Sequence, residues 1–224
     1  MRTQRESIAI IGGGIIGMSI LYHLAERHGR TDVALFERGQ LGSGTTSKSN
    51  GGIRNIFLDE QNRKMGQHGI DFYGSFDERV GGNAEFQQDG YLYLYHTAEG
   101  GRQWRERNEV FRDNGLQTEL LDPAEISDIF PPIERSTIRG GLFGPDCGVV
   151  DPHGVVQGFK TVATKRGATI HTNTEVTDIT VTSSGVESLA TDAGTVDVDC
   201  VINAAGPWAN RIARHPSLVK RETV

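Results

Sequence analysis

Residues 7–17 read SIAIIGGGIIG, followed by MSILYHLAERHG at 18–29 and DVALFERG at 32–39. A short apolar run that ends in three glycines is a buried strand stopping at a turn. Ile16, Ile20 and Leu24 then recur at helical spacing, and Gly29 supplies a C-terminal stop. The third piece is a second apolar strand, ending at Glu37. Strand, glycine turn, helix and strand within about 30 residues make a β-α-β unit. Its glycines, Gly12, Gly14 and Gly17, fall in the order G-x-G-x-x-G, and Glu37 lies 20 residues beyond Gly17. Each part has a physical task in holding a dinucleotide. Gly12 permits the tight turn, Gly14 lets a pyrophosphate approach the backbone, and Gly17 lets helix and strand pack closely. The helix start at Ile15 presents N–H groups and the positive end of the helix dipole to the anion. A carboxylate at Glu37 accepts from ribose hydroxyls and disfavours a 2′-phosphate.

The segment after the second strand separates two kinds of dinucleotide. An NAD half-domain continues into another β-α-β crossover. Here residues 44–54 read GTTSKSNGGIR instead, a run of small hydroxyl residues and glycines. Later, VINAAGPWAN at 201–210 brings a second small-residue turn after an apolar strand. Two such features suit a longer, extended ligand such as FAD.

The rest of the chain sets limits. Its 224 residues are 36% hydrophobic and 23% charged with a net charge of −6, enough for a core and without a basic block for nucleic acid. Three glycines interrupt the apolar run after Arg2 and Arg5, which argues against a signal peptide, and no segment reaches the length of a membrane span. Two cysteines without CxxC spacing give neither a disulfide framework nor a metal site, and a reducing, cytoplasmic setting fits. Cys200, in the apolar VDCVIN, is expected in the core. Cys147, in the loop GPDCG, is expected to have no role. His68, His96 and His153 are isolated, no Ser-His-Asp grouping stands out, and the catalytic residues are not identifiable. Tyr91, Tyr93 and Tyr95 alternate as in a half-buried strand and are expected to pack within a sheet. Residues 83–140 change in character and read as an insertion, with Asp122 capping a helix that begins at Pro123.

Several segments in order then carry a resemblance: IAIIGGGIIGMSILYHLA (8–25), VALFERGQLGSGTTSKSNGGIR (33–54), DPHGVV (151–156), EVTDI (175–179) and VINAAGPWANRIA (201–213). Together they resemble the D-amino-acid oxidase superfamily of FAD-dependent oxidoreductases, nearest to the group of sarcosine oxidase β-subunit, dimethylglycine dehydrogenase and glycine oxidase. The resemblance implies an α/β fold with an α+β insertion: a Rossmann-like, discontinuous FAD-binding domain over 1–82 and 141–224, and part of a substrate domain over 83–140. It places Gly12, Gly14, Ile15 and Gly17 at the pyrophosphate, Glu37 at the adenosine ribose, and Arg38 and Val176 beside the adenine. Ala204, Ala205, Gly206 and Trp208 form the second turn near the cofactor. The loop of Gly44, Thr45, Thr46, Ser47, Lys48, Ser49, Gly52 and Ile53 runs along FAD towards the flavin. Lys48 stands where dimethylglycine and sarcosine dehydrogenases carry a flavin-linked histidine, so noncovalent binding is expected. Arg54 contacts flavin, a substrate carboxylate or solvent.

The implied activity is oxidation of the C–N bond of a small amine or amino acid, of sarcosine, dimethylglycine or glycine type. Oxygen or an electron-transfer partner would take the electrons onward. Family members run well beyond 224 residues, so the chain is expected to be a piece of a longer polypeptide or to be completed by a second subunit. Two alternatives stay open: an FAD-dependent dehydrogenase of a hydroxy compound such as glycerol 3-phosphate, and a non-catalytic FAD-binding subunit.

Overall fold

The computed structural model describes residues 5–213. In chain order the first elements are β1 (Arg5–Ile11), α1 (Ile15–His28), β2 (Val33–Phe36), β3 (Gly52–Ile53), α2 (Glu60–Gly74) and α3 (Phe76–Val80). Then come β4 (Tyr91–Tyr95), α4 (Ala98–Asp113), β5 (Glu119–Leu121), α5 (Pro123–Ile129), β6 (Gly140–Gly144) and β7 (Gly148–Val149). The last are α6 (Pro152–Lys165), β8 (Thr169–His171), β9 (Val176–Thr182), β10 (Gly185–Thr191), β11 (Gly194–Asn203) and α7 (Ala209–Ala213). No described helix is long and apolar enough to cross a membrane.

Two compact units result. One comprises residues up to Ser49, 77–84 and those from Pro152 onward; the other comprises 50–76 and 85–151. The second unit thus holds 85–140 of the insertion expected over 83–140 together with 50–76 and 141–151, while residues 83 and 84 fall in the first. The flanking pieces' own bonds explain the grouping. β3 pairs with β7, Asn55 donates to Gln67 at 2.9 Å, and the Cys147 thiol donates to Asn55 Oδ1 at 3.4 Å.

The first unit is built on a sheet in the order β8-β2-β1-β11-β10-β9. β8, β2, β1 and β11 run parallel, and β10 and β9 return antiparallel. β1 and β2 are apolar on both faces because both faces are covered, as in parallel sheets generally. Ala9, Ile11, Ala34 and Phe36 share one core with Val176 and Ile179 of β9, Leu189 of β10 and Val196 and Val198 of β11. The opposite face is covered by α1 and α6, with Tyr22 and Phe159 in ring contact at 4.8 Å. At about 1.5–3 kcal/mol for each large apolar side chain buried, this double layer dominates the stability of the unit.

The helix predicted after the glycines forms, but it does not bury the predicted face. Ile16 is 63% exposed, and the buried positions are Met18, Leu21, Tyr22 and Ala25. Both sets repeat at helical spacing, so periodicity alone did not choose between them; Tyr22 and Ala25 won because α6 lies against that side. The cysteines also exchange roles. Cys200 is exposed, since no described element covers that part of β11. Cys147 is fully buried among Ile56, Phe111 and Leu142, where burial pushes its thiol pKa up.

In the second unit, β4, β6 and β5 form an antiparallel sheet in the order β4-β6-β5. β4 alternates as its sequence does. Tyr91 and Tyr93 join Trp104 and Phe111 on one side, and Leu92 and Leu94 join Ile126 and Ile138 on the other. α5 begins with the expected cap: Asp122 Oδ1 accepts from Ala124 N (2.7 Å) and Glu125 N (2.9 Å), and Glu125 Oε2 accepts from Asp122 N (2.8 Å). Asp122→Ala should therefore cost about 1 kcal/mol and Asp122→Asn less than half of that, read from urea unfolding midpoints. Equal midpoints for wild type and the alanine variant would mean that the cap contributes nothing to stability.

Candidate functional site

Parallel pairing of β1 with β11 brings together two small-residue turns that are far apart in sequence. Ala204 N donates to Ile11 O at 2.9 Å, continuing the ladder past the end of β1. Gly12 has φ +109°, and a Cβ there would stand 2.5 Å from Ala204 O. Its lack of a side chain is thus required twice, by its own turn and by the second turn beside it. A Cβ at Gly17 would overlap the Gly12 carbonyl oxygen, so the close approach of helix and strand assigned to Gly17 is present.

The middle glycine, which the motif leaves unspecified, is also constrained. Gly13 N donates to Glu37 Oε2 at 2.7 Å, and a Cβ on Gly13 would lie 2.9 Å from Glu37 Cβ. The other carboxylate oxygen accepts from Gly39 N at 2.8 Å. Glu37 therefore ties the glycine turn to the end of β2 through charge-assisted bonds. Each oxygen keeps a further lone pair for a ligand hydroxyl. Gly14 is different: the only neighbour a Cβ would meet is Thr46 Oγ1, at 3.2 Å. Its open side faces a cavity.

That cavity, about 700 Å³, lies wholly in the first unit and is in the size range of cofactor sites. Gly12, Gly14, Ile15, Glu37, Arg38, Gly44, Thr45, Thr46, Lys48, Val176, Ala204, Ala205, Gly206 and Trp208 all line it. Gly17 lies beneath the turn. Ser47 and Ser49 are not on the wall; the Ser47 hydroxyl donates to the carbonyls of Ser43 and Gly44, both at 3.2 Å. Arg38 lies with its guanidinium carbon 4.3 Å from the Trp208 ring centroid, a cation–π contact. The wall residues that sequence did not suggest include Phe36, Ile179 and Ile212. Phe36 and Ile179 were visible only as core strand residues, and the exposed Ile16 also stands at this cavity.

Gly52, Ile53 and Arg54 belong to the second unit, where they line a separate cavity of about 570 Å³ with Phe57, Tyr73 and Tyr91. Arg54 Nη1 donates to Tyr93 Oη at 2.8 Å and to Tyr91 Oη at 3.5 Å. Its guanidinium carbon is 5.0 Å from the Phe57 ring centroid. Burial pushes the Tyr93 pKa up, against the pull of Arg54, so the phenol is a neutral partner. No carboxylate among the described residues pairs with this guanidinium. Tyr91 and Tyr93, which pack against the sheet core as read from the sequence, also hold an arginine from another segment.

Residues 7–223 match the family described as DAO, FAD dependent oxidoreductase. Dimethylglycine dehydrogenase, mitochondrial, of Rattus norvegicus is 30% identical over 214 residues, which are 94% of this chain and 24% of that protein. The 4-methylaminobutanoate oxidase (formaldehyde-forming) of Paenarthrobacter nicotinovorans is 31% identical over 204 residues, 91% of this chain and 25% of the relative. The chain spans about a quarter of the length of both. The crystal structure of L-proline dehydrogenase from P. horikoshii superposes with a TM-score of 0.88 at 29% identity, covering 99% of this chain and 57% of that one. The expected α/β fold and the expected superfamily are both present, and the chain belongs to the family of FAD-dependent oxidoreductases.

Proposed function

We propose that this chain binds FAD noncovalently in the larger cavity and contributes to oxidation of the C–N bond of a small secondary or tertiary amine or of an amino acid, of sarcosine, dimethylglycine or glycine type. The residues fit the cofactor. The open side of Gly14 is a cradle that any Cβ would fill, and it stands at the start of a 14-residue helix with no acidic residue in its first turn. Gly14 would meet the pyrophosphate, Glu37 the ribose, and Val176 with Arg38 the adenine. Lys48 on the loop provides no imidazole for a covalent flavin bond. When bound, the flavin supplies the hydride acceptor for oxidation at the carbon next to nitrogen.

The observation that carries the amino-acid reading is Arg54. A guanidinium held by two tyrosine hydroxyls and a phenyl face, without a carboxylate of its own, is suited to receive one from a substrate. It would hold the substrate's acid end. Dimethylglycine dehydrogenase and 4-methylaminobutanoate oxidase both act on compounds that, by their names, carry a carboxylate and an N-methyl group, in line with this reading.

The test is flavin absorbance of the purified protein, followed by anaerobic bleaching with sarcosine, dimethylglycine, glycine and glycerol 3-phosphate. Bleaching by an amino acid supports the reading; bleaching by glycerol 3-phosphate alone, or copurified NAD without flavin, overturns it. Arg54→Met should raise the apparent KM for the amino acid by about tenfold to hundredfold. A matched amine lacking the carboxylate should be unaffected, and equal losses for both would remove Arg54 from carboxylate binding.

A further inference from the structure

Arg63, near the start of α2, is 8% exposed. No carboxylate among the described residues pairs with it. Burying an unpaired guanidinium is costly, and an apolar side chain of similar length would fill the same space without that penalty. Its hydrogen bonds show what the charge holds in place. Nη1 donates to Phe57 O at 3.1 Å and to Leu58 O at 2.5 Å. Nη2 donates to Asn114 Oδ1 at 2.9 Å, and the Asn114 amide is itself oriented by donating from Nδ2 to Val110 O at 2.8 Å. A planar fork of donors spans two backbone carbonyls and a side-chain amide at once; a point-like ammonium matches that spacing poorly.

The gripped segment is the one that carries Arg54. Residues 54–58 belong to no helix or strand, so no backbone ladder fixes them. Three positions on one face of α2 do so instead. Gly66 approaches so closely that a Cβ there would overlap Arg54 O. Gln67 Oε1 accepts from Asn55 Nδ2 at 2.9 Å, and Arg63 bonds to Phe57 O and Leu58 O. Spacings of three and four residues put Arg63, Gly66 and Gln67 on the same side of the helix, beside the buried Ile70. α2 therefore lies along the segment as a splint, with Arg63 at the Phe57 end. Phe57 then reaches back to the start: its ring centroid stands 5.0 Å from the Arg54 guanidinium carbon. Whatever fixes the Phe57 backbone also fixes one wall of that guanidinium.

We propose that Arg63 is a positioning residue for substrate binding: it anchors the Phe57–Leu58 backbone to α2 and α4, and through the Phe57 ring it holds the Arg54 guanidinium in the orientation that receives a substrate carboxylate. This rests on the carboxylate role given to Arg54 and adds the residue that keeps Arg54 in place for it. Arg63 is not on the wall of the Arg54 cavity and touches no substrate itself.

The test is a double-mutant cycle read by titration calorimetry in the presence of FAD, on wild type, Arg54→Met, Arg63→Met and the double variant. The probes are sarcosine, dimethylglycine and glycine, each against the amine that lacks its carboxylate: dimethylamine, trimethylamine and methylamine. Arg63→Met should weaken the amino acid by about tenfold and leave the matched amine within about twofold. In the Arg54→Met background the same change should add less than about twofold, because the residue it positions is gone. A structural role alone would give equal losses for amino acid and amine, or a full additional loss in the double variant, and either result overturns the proposal. Unchanged amino-acid binding by Arg63→Met overturns it too. If Arg63→Met does not fold, Arg63→Lys replaces it, with the charge kept and the fork lost. A loss of about threefold or more confined to the amino acids is then expected, and wild-type affinity overturns the proposal. A wild type that binds no amino acid, or an Arg54→Met variant that binds as wild type does, overturns the Arg54 reading and the positioning role with it. Where wild type binds and Arg54→Met does not, the Arg63 result judges positioning alone.

Discussion

Gly17→Ala is expected to cost the first unit about 3 kcal/mol or more, a large share of the roughly 5–15 kcal/mol that holds a domain folded. The added methyl would overlap Gly12 O and lie 3.1 Å from Gly12 C. These are backbone atoms and cannot swing aside. Gly12 is itself fixed, because its N–H donates to Phe36 O at 2.9 Å and Ala204 closes over its other side. Relief therefore requires α1 to move off β1, giving up the packing of Met18, Leu21 and Tyr22. Gly14→Ala is the matched control. Its methyl meets only the Thr46 hydroxyl, so the fold should stay within about 1 kcal/mol of wild type while FAD affinity falls. Urea unfolding followed by far-UV circular dichroism separates the two. A Gly17→Ala midpoint close to that of wild type would show that the helix has freedom this packing denies it.

Glu37 should be nearly as intolerant, and in a way that identifies its task. If the carboxylate only met ribose hydroxyls, Glu37→Gln would be mild, since an amide can both accept from and donate to a hydroxyl. But both oxygens already accept from backbone N–H groups, Gly13 at 2.7 Å and Gly39 at 2.8 Å. Glutamine would leave one N–H facing an NH₂ group, donor against donor. We expect Glu37→Gln and Glu37→Ala to weaken FAD by similar factors, on the order of a hundredfold, and to destabilise the free protein by about 1–3 kcal/mol. Amide hydrogen exchange at Gly13 and Gly39 should quicken in both. Wild-type exchange and near-normal affinity for the glutamine variant would return Glu37 to a ribose ligand alone.

Much of this site was legible in the sequence. Gly12, Gly17 and Glu37 lie within one β-α-β unit, where spacing fixes geometry, and the loop after Glu37 announced itself by composition. The features that stayed hidden depend on segments meeting. Gly13 falls on an unspecified motif position and is constrained only because Glu37 folds back to it. Thr46 differs from Thr45 and Ser47 by facing inward, which comes from the packing of α6 and not from the loop's own residues. Arg54 and Phe57 come from one stretch and Tyr91 from another, and the alternation of β4 showed two faces without showing what either would hold. The cysteines misled for a similar reason. A residue inside an apolar strand is buried only if another element covers it, and Cys200 has none among the described residues.

The neighbouring of β1 and β11 also carries a cost in time. The ribosome makes the partner strand, Asp197–Asn203, about 190 residues after β1. At about 5–20 residues per second, β1 waits roughly 10–40 s for the strand that completes its side of the sheet. Through that interval Ile8–Ile11 present an open apolar edge, shielded on one side by β2 and on the other by nothing the chain has yet made. An order of events follows: the second small-residue turn can close over the cavity only once β11 has emerged, so the pocket proposed here for FAD is completed by a strand made long after the glycine turn.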